Sequence, residues 1–385
     1  MRARRHFARL AGLISLTGLP YLLYGLLYVV RGPEGSPADK DHEVEPTVSV
    51  VLPTYNEERI VESKLAGICE WDYPPEKMEV VVVDSSDDAT PEIVREFFAE
   101  RDAPELRLIE ETERRGLAVA LNEAYAAASN EVVVKTDCDS KVAEDALREA
   151  VANLADPEIE AVTGRNAEVL GGSEVERGYR DVQARIQTLE SHVDSTFIFH
   201  GPFSAFERDS IVAIDEDSIA DDTELALKIR KNGGRVVFDP AIRYREASHS
   251  EFRKRRTQKD RRAMGLLRLL WRQRDMLGRY DGYGRVVLPF NWWFMGVSPT
   301  LVMAGVGLAS LGAVAVGGPL GLAVPVALGA FVWLGARDSL GSLQPTYALF
   351  DTQVSLFRAA VKLLRGEGDG TWDVDAELRE AFQAE

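Results

Sequence analysis

Glu131-Val132-Val133-Val134-Lys135-Thr136-Asp137-Cys138-Asp139 is the stretch from which the rest of the chain can be read. Its apolar, β-branched run does not alternate with polar residues, which predicts a strand buried on both faces, as at the centre of a parallel sheet. Successive side chains of a strand point to opposite faces, so Asp137 and Asp139 share one side at its carboxyl end. Ligands of open α/β sheets bind at that end. Two neighbouring carboxylates repel each other, and a divalent cation between them makes the pair tolerable. The same residues also fit a strand-end turn with solvated acids, which so acidic a chain produces by chance.

The pattern repeats on the N-terminal side. Residues 48–52 are strand-like and run into Pro53-Thr54-Tyr55-Asn56-Glu57-Glu58, which opens a helix to about residue 69. Residues 80–83 form a second strand ending in Asp84-Ser85-Ser86-Asp87-Asp88-Ala89-Thr90, with Pro91 placed for the first turn of a helix. Residues 106–109 form a third, followed by Arg114-Arg115-Gly116 and an Ala-rich helix over 117–128. Strands alternating with helices at this spacing predict βαβ units and a parallel sheet.

The totals narrow the class. A chain of 385 residues, 45% apolar, can bury one large core and something smaller beside it. A formal charge of −17 argues against a nucleic-acid partner. Cys69 and Cys138 have neither metal spacing nor a disulfide framework, and the five histidines show no ligand spacing. Apolar residues concentrate in two places: residues 10–30, behind the basic start Arg2-Ala3-Arg4-Arg5, and residues 286–336, which hold no Lys, Arg, Asp or Glu.

Taken in order, Val48-Ser49-Val50-Val51-Leu52-Pro53-Thr54-Tyr55-Asn56-Glu57, the Asp84 turn and Asp137-Cys138-Asp139 resemble the inverting family 2 glycosyltransferases that include cellulose and hyaluronan synthases. The resemblance covers roughly residues 47–265. It implies an α/β, Rossmann-like nucleotide-diphospho-sugar transferase domain (the GT-A fold) working with Mg²⁺ or Mn²⁺. Gly201-Pro202-Phe203-Ser204-Ala205-Phe206 is similar to the family's acceptor-side Gly-rich segment. Ile219-Ala220-Asp221-Asp222-Thr223-Glu224-Leu225 is similar to the acidic pair that opens a helix and holds the catalytic base. Gln258-Lys259-Asp260-Arg261-Arg262 resembles the Gln-x-x-Arg-Trp element, with Arg262 in the tryptophan's place.

The resemblance gives each residue a role, and the residues offer a plainer one. Asp84 would accept a hydrogen bond from a nucleobase edge, or would bond its own turn. Glu57 would touch the ribose or base, or favour its helix N-terminus through the dipole. Arg115 or Arg114, before a glycine and a helix start, would meet a diphosphate, or would pair in solvent. Asp137 and Asp139 would hold the cation, Asp139 as the direct ligand. Asp222 would be the base, or a cap with first-turn acids. Gln258 and Arg261 would neutralise the departing diphosphate.

The resulting organisation is an N-terminal membrane segment (1–31), a linker (32–46), a catalytic domain (47–250), basic interfacial helices (251–285), a transmembrane hairpin (286–336) turning at Gly317-Gly318-Pro319, and an amphipathic helix with a solvated acidic tail, Trp372 to Glu385 (337–385). About 20 apolar residues span a bilayer, so residues 10–30 suffice, although Gly18-Leu19-Pro20 would also allow a kinked or re-entrant helix. Arginines 253, 255, 256, 262, 268 and 272, interleaved with leucines, suit a helix lying on anionic lipid, which puts the hairpin ends and the catalytic domain at the cytoplasmic face of the cell membrane. The expected activity is metal-dependent, inverting transfer of a hexose from a nucleotide-diphospho-sugar to a lipid-linked or membrane-proximal glycan acceptor. A processive polysaccharide synthase, a catalytically silent nucleotide-sugar-binding regulator and a nucleotidyltransferase are the alternatives. Three apolar segments are few for a polymer channel, the acid pair with Asp222 argues against silence, and no Gly-rich triphosphate loop opens the domain.

Overall fold

The valine runs become the middle of one sheet. In the computed structural model of the chain, which describes residues 2–170, 177–249, 251–367 and 376–383, β1 (Val48–Thr54), β2 (Met78–Asp84), β3 (Glu105–Glu110) and β4 (Val132–Lys135) lie parallel in the order β3-β2-β1-β4. Val50, Val80, Val82 and Val134 enter one apolar cluster, whereas Val51, Val81, Val83 and Val133 enter another. Both faces are therefore covered, which is why these strands read as unbroken apolar runs.

Beyond β4 the sheet turns mixed. It continues through β7 (Ser204–Glu207), β6 (Ile159–Leu170), β8 (Arg235–Ala247) and β5 (Ser140–Val142), with β7 antiparallel to both β4 and β6. The order reverses between β1 and β4, so their carboxyl ends flank the crevice where such sheets take ligands. Antiparallel β7 adds a second consequence. Its register sets Lys135 opposite Ser204, which delivers the Gly201-Pro202 loop to the end of β4.

The helices of this domain are α2 (Val61–Cys69), α3 (Thr90–Ala99), α4 (Leu117–Ala127), α5 (Ala146–Leu154), α6 (Arg177–Val193) and α7 (Asp221–Asn232). Pro91 stands in the first turn of α3, as its fixed φ favours. Gly233 ends α7 in the left-handed region at φ +119, which costs glycine least.

Before the domain, α1 (Arg2–Arg31) is one uninterrupted helix through Gly18-Leu19-Pro20. After it come α8 (Phe252–Arg272), α9 (Leu288–Trp292) with a π-turn on either side, α10 (Ser298–Gly317), a short 3-10 turn, α11 (Ala323–Gly335) and α12 (Gln344–Leu364). Among the described residues, 8–31 and 283–335 are helical and apolar enough, by length and composition, to cross a membrane. Tyr21 ties α1 to α10 through Ser298 at 2.9 Å, and Tyr24 stacks on Phe290. The basic stripe of α8 is largely matched by protein acids: Arg256 and Lys259 meet Asp351 of α12, and Arg272 meets Asp215 and Asp217.

The solvated acidic tail is corrected. Residues 376–383 form α13 (Ala376–Gln383), and Leu378 and Phe382 join the core cluster of β1 and α2. Leu378 and Phe382 are four apart, one helical face, hidden in the sequence by the charged pair Arg379-Glu380 between them. Residues 372–375, 384 and 385 lie outside the described residues.

Candidate active site

Past the end of β4, Asp137, Cys138 and Asp139 all line an open cavity of about 1290 Å³ at the sheet's carboxyl edge, Cys138 being the one that is buried and packs into the core. Glu57, Asp222, Gln258, Arg261, Arg114 and Arg115 line the same cavity. The two acids of the turn have different partners. Asp137 accepts from Lys135 Nζ at 2.6 Å, and Asp139 accepts from Arg379 at 3.2 Å.

Lys135 is the centre that the sequence did not reveal. It is 1% exposed, and its ammonium also stands 3.2 Å from Asp222 Oδ1 and 3.9 Å from Asp221 Oδ2. Burial opposes its charge, but Asp137, Asp222 and Asp221 outweigh burial and hold its pKa well above the ordinary lysine value. Burial likewise opposes ionisation of Asp137, yet Lys135 keeps that carboxyl below the usual range. Asp222 is pushed up to about 7, by burial first and by Asp221 second, with Lys135 pulling the other way. Burial also raises Asp221. Asp221 Oδ2 is buried with no hydrogen-bond partner.

A carboxylate near pKa 7 inside a cavity suits a general base working at neutral pH. The cap position before α7 is Ala220, which makes no side-chain cap bond, so Asp221 and Asp222 are acids of the first turn and not the cap residue. Gly201 closes the cluster from the β7 side. A Cβ there would meet Asp137 Oδ2 at 2.5 Å, Lys135 Nζ at 2.8 Å and Asp222 Oδ2 at 3.0 Å, so any larger residue would have to displace the charged groups.

Lys64 braces the acid turn from behind. Its buried ammonium donates to Thr136 Oγ1 and to Ser140 O, each at 2.7 Å, and burial brings its pKa down to about 8. Arg262, which stands where the resembled Gln-x-x-Arg-Trp element has tryptophan, lines the same cavity and pairs with Glu246 of β8. Its charge and burial keep nearby His200 neutral, burial being the larger cause, with a pKa of about 4. His200 Nε2 lies 3.1 Å from Gln187 Oε1. Arg261 has its pKa lowered by burial and by Arg262, against Asp221, Asp137 and Asp139.

Other expected residues sit differently. Asp84 is 2% exposed and does not line the cavity. It accepts from Thr54 Oγ1 and Ser86 Oγ, each at 2.6 Å, and from the Ser86 N–H at 3.1 Å, tying the ends of β1 and β2 together. That is the local-turn alternative. Arg115 is held at the rim by Glu111 and Glu123, while Arg114 stacks over Tyr55 at 3.8 Å. Glu57 receives both nitrogens of the Arg379 fork, and burial lifts its carboxyl to about 7 in spite of that partner.

The acids fit a divalent cation in one particular way. Among the described residues no three His, Cys, Asp or Glu side chains form a complete protein cage. Asp139 nevertheless faces the cavity and already binds a positive group, the Arg379 guanidinium. One or two carboxylates completed by substrate oxygens and water is how Mg²⁺-type sites at phosphates are built.

A sheet that is parallel through β3-β2-β1-β4 and mixed beyond, with an acid turn at its switch point, has the arrangement of the GT-A fold, whose glycosyltransferases use nucleotide sugars. Residues 49–215 match Glycosyl transferase family 2. The chain is similar over 96% of its length, at 31% identity and a TM-score of 0.78, to the whole structure of a mannosyltransferase from Pyrobaculum calidifontis in complex with GDP-Man and Mn²⁺. The chain belongs to glycosyl transferase family 2. It is also 28% identical over 212 residues to a poly-beta-1,6-N-acetyl-D-glucosamine synthase of Staphylococcus epidermidis, covering 53% of this chain and 49% of the synthase. A Staphylococcus aureus synthase of the same description is 27% identical over 202 residues. The chain thus spans about half the length of the curated relatives it matches.

Proposed function

We propose that this protein is a membrane-attached, inverting hexosyltransferase that moves one sugar from a nucleoside-diphospho-sugar to a lipid-linked acceptor at the cytoplasmic face. The observation that carries the proposal is the convergence of Asp222, Asp137 and Asp139 on one cavity, with Lys135 bridging two of them. Asp222 Oδ takes the proton of the acceptor hydroxyl as that oxygen attacks the anomeric carbon. The bond from that carbon to the diphosphate breaks on the opposite face, which inverts the centre. When bound, Mg²⁺ or Mn²⁺ at Asp139, with Asp137, neutralises charge growing on the leaving diphosphate. Gln258 and Arg261 support the same departure from α8. Glu57 and the Thr54–Tyr55 segment hold the nucleoside, and Asp84 acts on it by fixing that segment to β2.

A lipid-linked acceptor is supported by apolar side chains that line the same cavity as the acids. Phe294 and Met295 of the apolar 283–335 helices line the same cavity, as do Leu266 of α8 and Leu356 of α12. The hydroxyl end of a lipid-borne acceptor would then lie among acids while its chain meets apolar side chains. Polysaccharide synthesis is favoured by the sequence relatives; single transfer is favoured by the end-to-end likeness to a mannosyltransferase. The test is release of nucleoside diphosphate by purified protein in lipid with Mn²⁺, across GDP-Man, UDP-GlcNAc and other donors. Release with one donor, and a product one sugar heavier, is the expected result. A growing polymer would select the synthase. Donor binding without release from any donor would overturn enzymatic transfer.

A further inference from the structure

Arg379 is the residue of the cavity that neither the proposed chemistry nor the sequence pattern accounts for. It is 3% exposed, donates through Nε to Glu57 Oε2 at 2.8 Å and through a second nitrogen to Glu57 Oε1, and turns its third nitrogen to Asp139 Oδ2 at 3.2 Å. Both acceptors belong to the donor side of the site. The helix that carries it is anchored at three separate points. Phe382 is 1% exposed in the core, with Lys141 Nζ 5.0 Å from its ring. Gln383 donates to Arg59 O at 2.6 Å, and Glu377 pairs with Lys254 at 3.3 Å. The segment therefore closes over the loop after β1, the acid turn and the start of α8 together.

A guanidinium and a metal ion cannot use the same carboxylate oxygen at once without strong like-charge repulsion. The bidentate bond to Glu57 also occupies a carboxylate that faces the nucleoside side of the cavity. We propose that Arg379 stands in for the divalent cation at Asp139, so that α13 is a cation-mimicking gate: cation and donor load when Arg379 withdraws, and the gate closes again on the emptied site. The structure is the closed form. The inference rests on the assignment of Asp139 as a cation ligand made above, and it adds a built-in competitor for that ligand. It follows that Mn²⁺ should bind more weakly to the intact protein than its carboxylates alone allow.

The experiment titrates Mn²⁺ alone, without donor, into full-length protein in lipid nanodiscs, reading free Mn²⁺ by electron paramagnetic resonance. Arg379→Gln is expected to bind Mn²⁺ about tenfold tighter than wild type, the equilibrium equivalent of one charge-assisted hydrogen bond. Phe382→Ala, which keeps Arg379 and weakens its anchor, is expected to bind tighter as well. In the wild type, adding Mn²⁺ with GDP is expected to speed amide exchange across 376–383. Should Arg379→Gln fail to fold, Phe382→Ala and the exchange measurement carry the test. Asp139→Asn separates the two levels. If it abolishes Mn²⁺ binding while Arg379→Gln and Phe382→Ala bind no tighter than wild type, the gate is refuted and the cation site stands. If it leaves Mn²⁺ binding unchanged, the cation site is refuted and the gate with it.

Discussion

Gly201→Ala isolates the acid cluster with a single methyl group. Gly201 has no left-handed φ, so alanine brings no backbone strain and the whole effect is steric. The new carbon would lie 2.5 Å from Asp137 Oδ2, 2.8 Å from Lys135 Nζ and 3.0 Å from Asp222 Oδ2. These are side-chain ends, which elsewhere would swing aside. Here Lys135 is pinned at 2.6 Å to Asp137 and is buried, so moving one member moves all three. Relief requires a shift of about 1 Å in the group that takes the acceptor proton or in the one beside the cation, and a misplacement of that size costs about 10² in rate. Overpacking should cost about 1–3 kcal/mol in stability. The assay is donor-dependent nucleoside diphosphate release in lipid, with the thermal midpoint and GDP affinity measured on the same preparation. The expected result is a kcat down about a hundredfold, or about 2.7 kcal/mol in the barrier, with the fold retained. A Gly201→Ala enzyme with wild-type kcat would show that the three charged groups do not work as a fixed unit.

Asp222→Asn should lower kcat by about 10²–10⁴ while leaving donor affinity near wild type; equal rates would remove the base assignment. Because Asp222 is raised to about 7 and must be ionised to accept a proton, wild-type kcat/KM should rise through neutral pH and level above it, and this inflection should vanish from the residual activity of Asp222→Asn. Lys135→Met leaves buried carboxylates without their cation and should cost about 3–5 kcal/mol, seen as a collapsed thermal midpoint; a midpoint equal to wild type would count against the cluster as drawn. Glu190 of α6 is buried and accepts from the Phe197 N–H at 2.9 Å and from Asn291 Nδ2 at 2.7 Å, joining the domain to the apolar helices. Burial raises its pKa from 4.5 to about 7, so the folded state holds the proton longer than the unfolded chain. Stability should therefore fall as pH rises from about 4.5 to 7, by about 3 kcal/mol at most, and Glu190→Gln should flatten that slope in a thermal-shift series.

The parallel half of the fold was legible because burial on both faces leaves a mark that needs no partner: unbroken valines with acid turns behind them. The mixed half carries no such mark. β7 is four residues long, and β8 begins with an arginine and alternates little. Of the site, the acids could be found because each closes a strand or opens a helix. Two of the buried cations could not, since each comes from elsewhere: Lys64 of α2 braces the acid turn through Thr136 and Ser140, and Arg379 reaches Asp139 from α13. Lys135 did leave a signal. A lysine inside a non-alternating strand is buried by the same logic that buries its neighbours, and a buried ammonium requires carboxylates within reach. Applied to residues 132–139, that rule picks out Asp137 at once, and it points to a second acid supplied by another element.

The arithmetic of charge around the cavity explains why Asp222 stays near neutrality instead of at the usual carboxylate value. Glu57, Asp137, Asp139, Asp221 and Asp222 face it, and two buried cations are divided among them: Lys135 serves Asp137, Asp221 and Asp222, and Arg379 serves Glu57 and Asp139. Lys135 is thus shared three ways, and its strongest bond is to Asp137. Asp221 is left with an oxygen bonded to nothing, and its repulsion falls on Asp222. By the gate reading a cation enters at Asp139 as Arg379 leaves, so Mn²⁺ alone raises the positive charge there from one to two and should draw the Asp222 inflection downward before any donor binds. The cation would then bias the acceptor side without any movement of the backbone between them. The Asp222 inflection read in donor-free protein should lie lower with Mn²⁺ than without it, and the gap between the two measures how strongly the halves of the site are coupled.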